Sequence, residues 1–294
     1  METKMELMIV VTGATGQLGR GVIDALLAHT PEASIVASVR NTAKADDLAG
    51  RGVAVRHGDF ANSQSLAGAF AGADRLLLIS VDKLGDEALR LHRRAIEAAG
   101  NAGVRQLLYT SHMGAQHGSL FAPAKQHART EDDLAASGIP FTALRHGFYA
   151  ESCLQMIGEG LALGELRVPE DGPVSWTARA DLAEADAAIL IDGRPNGITP
   201  PLTAAEAVSM AEIAAIASEV SGRTIRHVVI SDAAWRDARI AAGMPEIYAE
   251  MLLGTFSAAR RGDFAATDPT LERLIGRPPK SMREVLAAAL KTSA

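Results

Sequence analysis

The chain has 294 residues and a formal net charge of -6, long enough for one α/β domain plus a smaller appendage. The acidic balance excludes a nucleic-acid partner, since no basic excess is available to neutralise phosphates. Its single cysteine, Cys153, excludes an internal disulfide and reads as a small buried apolar residue. No stretch approaches the about 18 consecutive apolar residues of a membrane span, and Met1–Glu6 is charged with mixed sign, so a cytoplasmic protein is expected.

The run Met8-Ile9-Val10-Val11 reads as a buried strand. Thr12-Gly13-Ala14-Thr15-Gly16-Gln17-Leu18-Gly19 follows it, and Val22, Ile23, Leu26 and Leu27 then recur at helical spacing. Strand, glycine turn and helix form the setting of a dinucleotide-phosphate loop. Gly13 allows the tight turn, Gly16 lets the backbone approach a pyrophosphate, and Gly19 lets helix and strand pack closely. The helix start offers N–H groups to the phosphates, with Thr15, Gln17 and Leu18 in the same loop. The spacing is G-x-x-G-x-x-G, so a glycine-rich turn without a ligand stands as the alternative.

Ser34–Arg40 reads as the second strand. An acid just beyond it would bond the ribose 2′-hydroxyl of NAD, whereas an arginine accommodates the 2′-phosphate of NADP. Arg40 occupies that place and no acid lies between Glu32 and Asp46, so NADPH is expected, with NADH weaker. Lys44 offers a second phosphate contact; the alternative for Arg40 is a solvated surface arginine. Val53–Gly58 is the third strand, followed by Asp59 for the adenine amino group and Phe60 beside the ring, with a plain helix cap as the rival for Asp59. Ala73–Ser80 is the fourth strand, apolar as a strand covered on both faces should be, and Ile79-Ser80-Val81 is expected beneath the ribose and nicotinamide. A helix from Gly85 to Ala102, a strand at Arg105–Ser111, a helix at Pro123–Ser137 and a strand at Ile139–Arg145 complete the alternation.

This rhythm predicts an α/β protein with a Rossmann-type doubly wound parallel sheet over residues 1–150. Residues 151–294 are expected to form a smaller mixed α+β substrate lobe, partly threaded back into the first domain. There Gly158–Gly172 is rich in turn residues and Val174–Thr177 reads as a short strand. Arg179–Ile191 reads as a helix with Asp181 near its start, and 196–201 as a loop. Ser209–Ser221 and Met244–Arg261 read as helices and Ile225–Ile230 as a strand. Asp232 caps a further helix, and the turn Gly276-Arg277-Pro278-Pro279 precedes a last one at Met282–Leu290.

The loop Thr12–Gly19, the strand ends Val39-Arg40-Asn41 and Leu78-Ile79-Ser80, the run Tyr109-Thr110-Ser111, the helix bearing His127 and Glu131, and Leu144-Arg145-His146-Gly147-Phe148-Tyr149 together resemble the NmrA-like branch of the atypical short-chain dehydrogenases. Within it the likeness is greatest to the bacterial type 2 NAD(P)H:quinone oxidoreductases, with triphenylmethane reductase as a near cousin. The resemblance implies an NADPH-binding Rossmann domain, with Thr110 and Ser111 on the cofactor side, and a smaller lobe, with a cleft between them for a quinone.

The short-chain dehydrogenase dyad needs a tyrosine with a lysine four residues later, so that the lysine tunes the tyrosine for proton exchange. Tyr109, Tyr149 and Tyr248 are followed at that spacing by Met113, Cys153 and Leu252, and Lys125 is preceded by Phe121. The resemblance places His127 near the dyad's lysine. An acceptor that takes hydride unaided is therefore expected: a quinone or another small planar molecule, reduced directly from the nicotinamide with rate coming mainly from positioning. His127 is expected to hold the nicotinamide ribose or to donate to the developing quinol oxygen, with a helix-surface histidine as the alternative. Phe148 and Tyr149 are expected to line the acceptor pocket, with core packing as the alternative, and Tyr149 joins His127 as a catalytic candidate. His146 stands where the family has asparagine and is assigned to the acceptor side.

His112 and His117 come without a Cys or Asp cluster, so no metal is expected. A single glycine loop leaves no second dinucleotide fold for a flavin. A second copy of the chain is an open option as partner. The competing functions are an NmrA-like dinucleotide-binding redox sensor without turnover and a reductase of azo or triphenylmethane dyes.

Overall fold

A computed structural model of the chain describes residues 7–193 and 197–292; the charged stretch 1–6 and Asn196, the start of the expected loop, lie outside the described residues. The strands are β1 (Ile9–Thr12), β2 (Ile35–Val39), β3 (Ala54–His57), β4 (Arg75–Leu78), β5 (Gln106–His112) and β6 (Phe141–His146). Shorter ones follow: β7 (Phe148–Tyr149), β8 (Glu165–Val168), β9 (Trp176–Thr177), β10 (Gly197–Ile198) and β11 (Arg226–Val229). The helices are α1 (Gln17–Leu27), α2 (Asp46–Ala49), α3 (Ser63–Phe70), α4 (Gly85–Asn101), α5 (Ala122–Ala136) and α6 (Ala150–Leu163). They continue with α7 (Arg179–Asp192), α8 (Met210–Ser221), α9 (Asp232–Ala241), α10 (Glu246–Arg260), α11 (Thr270–Ile275) and α12 (Met282–Thr292).

The apolar runs read as strands assemble one sheet of order β3-β2-β1-β4-β5-β6-β10. Its pairs β3–β2, β2–β1, β1–β4, β4–β5 and β6–β10 run parallel. Val11 sits in register with Ala37 on one side and Leu77 on the other. Every residue of β1 and β2 is buried, which is why these strands carry no alternation of polar side chains. This is a Rossmann-type sheet, and the chain reverses its direction of winding between β1 and β4. α1 covers it with Leu18, Val22, Ile23 and Leu26, each worth about 1.5–3 kcal/mol when fully buried.

The chain divides into two compact units, one made of 1–111, 126–145 and 182–199, the other of 112–125, 146–181 and 200–294. Each has its own core. The first gathers Val10, Val36, Phe70, Leu76, Ile96, Leu107 and Tyr109 among others. The second packs Phe121, Cys153, Trp176, Ile213, Trp235, Phe256 and Phe264. Cys153 is fully buried there, and desolvation, with Asp171 adding to it, pushes its thiol pKa well up.

The second half departs from the sequence reading at several points. The stretch that looks like a loosened rhythm around Gly158 and Gly160 is α6, which runs to Leu163 and stops where Gly164 turns left-handed at φ 79. β8 follows at once and pairs with β11 in parallel, Leu166 opposite His227. The expected strand at Val174–Thr177 shrinks to Trp176–Thr177, paired with Phe148–Tyr149. The cap of α9 is Ser231, whose Oγ accepts the Ala234 N–H, and Asp232 is the first helical residue. α8 opens with a capping box between Ser209 and Glu212.

Candidate active site

The site begins at the crevice where β1 and β4 end side by side. Gly13 adopts φ 59, a left-handed conformation that favours glycine, and its carbonyl accepts the Gly16 N–H at 2.9 Å. A Cβ on Gly19 would lie 2.5 Å from the Gly13 carbonyl oxygen and 2.9 Å from the Ala14 Cα, so helix and loop touch at backbone distance. At Gly16 a Cβ would meet only the Gly13 oxygen, at 3.2 Å, and the backbone is ordinary extended. Gly13, Gly16 and Gln17 are exposed and Thr15 is half-buried, whereas Leu18 turns its side chain into the core. α1 starts at Gly16 without a side-chain cap and without an acidic residue in its first turn. Such a cradle, with the positive end of the helix dipole behind it, fits the pyrophosphate of a dinucleotide.

Arg40 follows the last residue of β2 and is exposed. The next turn is shaped by Asn41, whose Oδ1 accepts the Ala43 N–H at 3.1 Å. Arg20 on α1 braces it by bonding the Lys44 carbonyl at 3.0 Å and pairing with Asp47. Asp59 does not cap α3. Asn62 does so, accepting from Gln64 and Ser65, while the Asp59 Oδ1 takes the Ala61 N–H at 2.9 Å. Phe60 is half-buried against the first core.

Beyond Leu78 the chain leaves the sheet, and three successive amides end on side chains from three different elements. The Ile79 N–H donates to Thr12 Oγ1 of β1 at 2.9 Å, and the Thr12 hydroxyl donates to the Leu77 carbonyl at 3.0 Å. The Ser80 N–H donates to Thr110 Oγ1 of β5 at 2.9 Å. The Val81 N–H donates to His92 Nε2 of α4 at 3.0 Å. Gln126 of α5 closes the segment, accepting the Gly85 N–H at 3.0 Å and donating to the Lys83 carbonyl at 3.3 Å. The Ile79 side chain itself packs on Gly13, 3.5 Å from where a Cβ would stand.

Behind this segment lies a polar network in the first unit. Tyr109, fully buried on β5, bonds through its hydroxyl to His127 Nδ1 at 2.8 Å, and the His92 ring meets the Tyr109 ring edge-on at 5.4 Å. His127 is half-buried and Lys125 is exposed. Ser111 donates to Glu131 Oε1 at 2.6 Å, and Glu131, only 5% exposed, is held by Arg145 at 2.6 and 3.0 Å. A buried carboxylate is tolerated because this two-pronged partner neutralises it.

In the second unit, His146 is buried and its Nδ1 lies 3.4 Å from the Tyr149 hydroxyl. The Arg179 guanidinium stands 4.7 Å from the centroid of the half-buried Tyr149 ring. The Arg179 backbone N–H donates to Glu151 at 3.1 Å. Phe148 is half-buried and packs edge-on against His112, Trp176 and Phe264 at 5.1–5.4 Å. His112 Nδ1 accepts the Gly114 N–H at 3.0 Å, and among the described residues no group of three or more His, Cys, Asp or Glu is arranged to hold a metal ion.

The glycine loop, Arg40 and the Ile79–Ser80 end thus share the sheet's carboxyl edge, with Thr110 and His92 supporting it. The sequence reading gives Thr12, His92, Gln126 and Arg179 no role in the site, although Thr12 opens its glycine loop and Arg179 an expected helix. His92 carries a signal of its own, since it falls within the helical stripe of Ala88, Ala95, Ile96 and Ala99 that α4 buries.

The model of the NmrA-like family matches residues 5–284. The chain belongs to the NmrA-like family. Among its NmrA-like relatives, quinone oxidoreductase 2 of Escherichia coli is 37% identical over 278 residues, 94% of this chain and 96% of the relative. The solved structure of an Escherichia coli NADPH-dependent quinone oxidoreductase in complex with NADPH superposes with a TM-score of 0.91 at 36% identity, covering 96% of this chain and 99% of that one. Triphenylmethane reductase from Citrobacter sp. gives 0.90 at 34% identity, covering 97% of this chain and all of its own. Among the described residues no helix is long and apolar enough to cross a membrane.

Proposed function

We propose that this chain is an NADPH-dependent reductase of quinones and similar flat acceptors, working in a reducing cytosol. The observation that carries the reading is its end-to-end likeness to the Escherichia coli quinone oxidoreductase whose NADPH complex is solved. The glycine cradle and the arginine after β2 support it, because together they offer sites for a pyrophosphate and a 2′-phosphate.

In this reading Gly13, Gly16 and the start of α1 hold the pyrophosphate, with Thr15, Gln17, Leu18 and Gly19 shaping the loop. Arg40, with Lys44, takes the 2′-phosphate in preference to the bare ribose of NADH. Asp59 and Phe60 take the adenine, and Ile79 and Ser80, backed by Thr110 and Ser111, carry the ribose and nicotinamide. When bound, NADPH supplies a hydride directly to an acceptor that delocalises the incoming electron pair. His127 holds the nicotinamide ribose or hydrogen-bonds the acceptor oxygen. His146, Phe148 and Tyr149, next along the chain after β6, form the acceptor side. The chain's residues contribute mainly by orienting the two reactants, which is compatible with the lack of a tyrosine followed four residues later by lysine.

The test is steady-state loss of NADPH absorbance on adding a small benzoquinone to protein purified without added flavin. Sustained turnover with NADPH, and slower turnover with NADH, is expected. Tight nucleotide binding without turnover of quinones or dyes would replace this reading with that of a redox sensor.

A further inference from the structure

The donor–acceptor accounting around His92 admits one state of the ring. Its Nε2 accepts the Val81 N–H at 3.0 Å, so the proton of the neutral imidazole sits on Nδ1. Nδ1 lies 3.0 Å from Thr130 Oγ1, and the Thr130 hydroxyl donates its own proton to the Gln126 carbonyl at 3.0 Å. Thr130 is therefore the acceptor, and the chain of bonds runs from Val81 through His92 and Thr130 to the backbone of α5. His92 and Thr130 are both fully buried, so no water competes for these positions. The same turn of α5 supplies Gln126, which grips Lys83 and Gly85 at the far end of the segment.

We propose that His92 is a positioning residue: its buried imidazole holds the Val81 amide, and through it the backbone that leaves β4 beside the glycine loop, in the geometry the nucleotide requires. The inference rests on the proposed nucleotide site for its functional consequence, although the hold on the segment stands without it. Irregular backbone at a sheet edge ordinarily leaves its amides to water and moves readily. Here Ile79, Ser80 and Val81 are each tied to a different element, and His92 is the tie farthest from the sheet. Its loss frees the middle of the segment while Thr12 and Thr110 hold one end and Gln126 the other, so the ring-bearing end of a bound nucleotide loses its orientation before its phosphates lose their cradle.

The facing groups are few. Thr130 and Gln126 come from α5, Val81 from the segment itself, and the Tyr109 ring from β5, its hydroxyl bonded to the titratable His127. Protonating Nε2 sets N–H against N–H at Val81, so the positioning bond exists only for the neutral ring. Burial keeps it neutral by lowering the imidazole pKa to about 4.

The test compares wild type with His92→Leu, which keeps the bulk and removes the acceptor, and His92→Gln, whose side-chain oxygen can take the Val81 N–H again. Hydrogen exchange is followed by mass spectrometry over 79–85 and 13–19, alongside kcat and KM with NADPH and benzoquinone. His92→Leu is expected to speed exchange over 79–85 by about tenfold with 13–19 unchanged, and to lower kcat about tenfold while nucleotide affinity shifts by no more than about threefold. His92→Gln should restore most of both. Wild-type exchange over 79–85 in His92→Leu overturns the proposal, as does an equal loss of kcat in both variants with the segment still protected. Should His92→Leu not fold, Thr130→Val, which leaves the imidazole without its anchor, must loosen the same segment, and unchanged exchange there overturns the proposal. If wild type reduces no quinone, the function proposed above fails, while the exchange measurement still decides the role of His92.

Discussion

The two segments that leave the sheet after β2 and after β4 lie at one edge of the same unit and are built in opposite ways. After β4, the amides of Ile79, Ser80 and Val81 end on buried side chains. After β2, Arg40 is exposed, and its turn is held by an asparagine side chain and by the half-buried Arg20. The first arrangement fixes atoms, the second places a charge. In the proposed function the difference has a reason, since a hydride donor has to be oriented to fractions of an ångström. A phosphate is recognised well enough by a flexible cation, at the cost of sensitivity to salt.

The steepest test removes what both segments serve. Gly16→Val is expected to fold with some loss of stability, because the backbone there is ordinary and a Cβ meets only the Gly13 oxygen, at a tight 3.2 Å. It should nevertheless lose NADPH affinity by more than about a hundredfold, measured by calorimetry, because the side chain fills the cradle. Gly19→Val sharpens the contrast, since a Cβ 2.5 Å from the Gly13 oxygen should cost folding itself, visible in thermal melting. On the charged side, Arg40→Ala is expected to weaken NADPH about ten- to hundredfold and to leave NADH nearly unchanged in titrations. Equal losses for both nucleotides would break the assignment of the two segments to separate tasks.

On the fixed side, acid is the probe. The unfolded chain protonates His92 near 6.5 and the native state only near about 4. Between those values the unfolded state binds more protons, so this contribution is whole above pH about 6.5 and shrinks as pH falls toward 4. From neutral pH to about pH 5 wild type should lose roughly 2 kcal/mol more stability than His92→Leu in urea unfolding. Parallel pH slopes for the two proteins would show that His92 is not held neutral. The smallest effect belongs to Arg20→Ala, which should raise the KM for NADPH by no more than about threefold and less in high salt, as expected of an exposed pair.

Much of the first unit is legible in the sequence, because parallel strands buried on both faces are written as unbroken apolar runs. Val10-Val11, Ile35–Val39 and Leu76–Leu78 gave their positions within a residue or two. α6 was illegible for the reason that it is a helix containing Gly158 and Gly160, residues that weaken local helix preference and are tolerated through packing. At Gly160 a Cβ would stand 2.7 Å from the Glu165 carbonyl, so this glycine serves the close approach of β8. Asp232 misled as a cap because Ser231, one residue earlier, is as good an acceptor. Of the site, the glycine loop and Arg40 declare themselves by spacing and by place after a strand. The network behind Val81 could not, since His92 and Thr130 are 38 positions apart and meet only when α4 and α5 do.

The lone cysteine acquires a meaning from the company this protein is proposed to keep. Quinones are electrophiles that alkylate accessible thiolates, and an enzyme handling them turnover after turnover risks arylating itself. Cys153 is sealed inside the second core with its proton held tightly, so the one thiol of the chain is not presented to the acceptor as a thiolate.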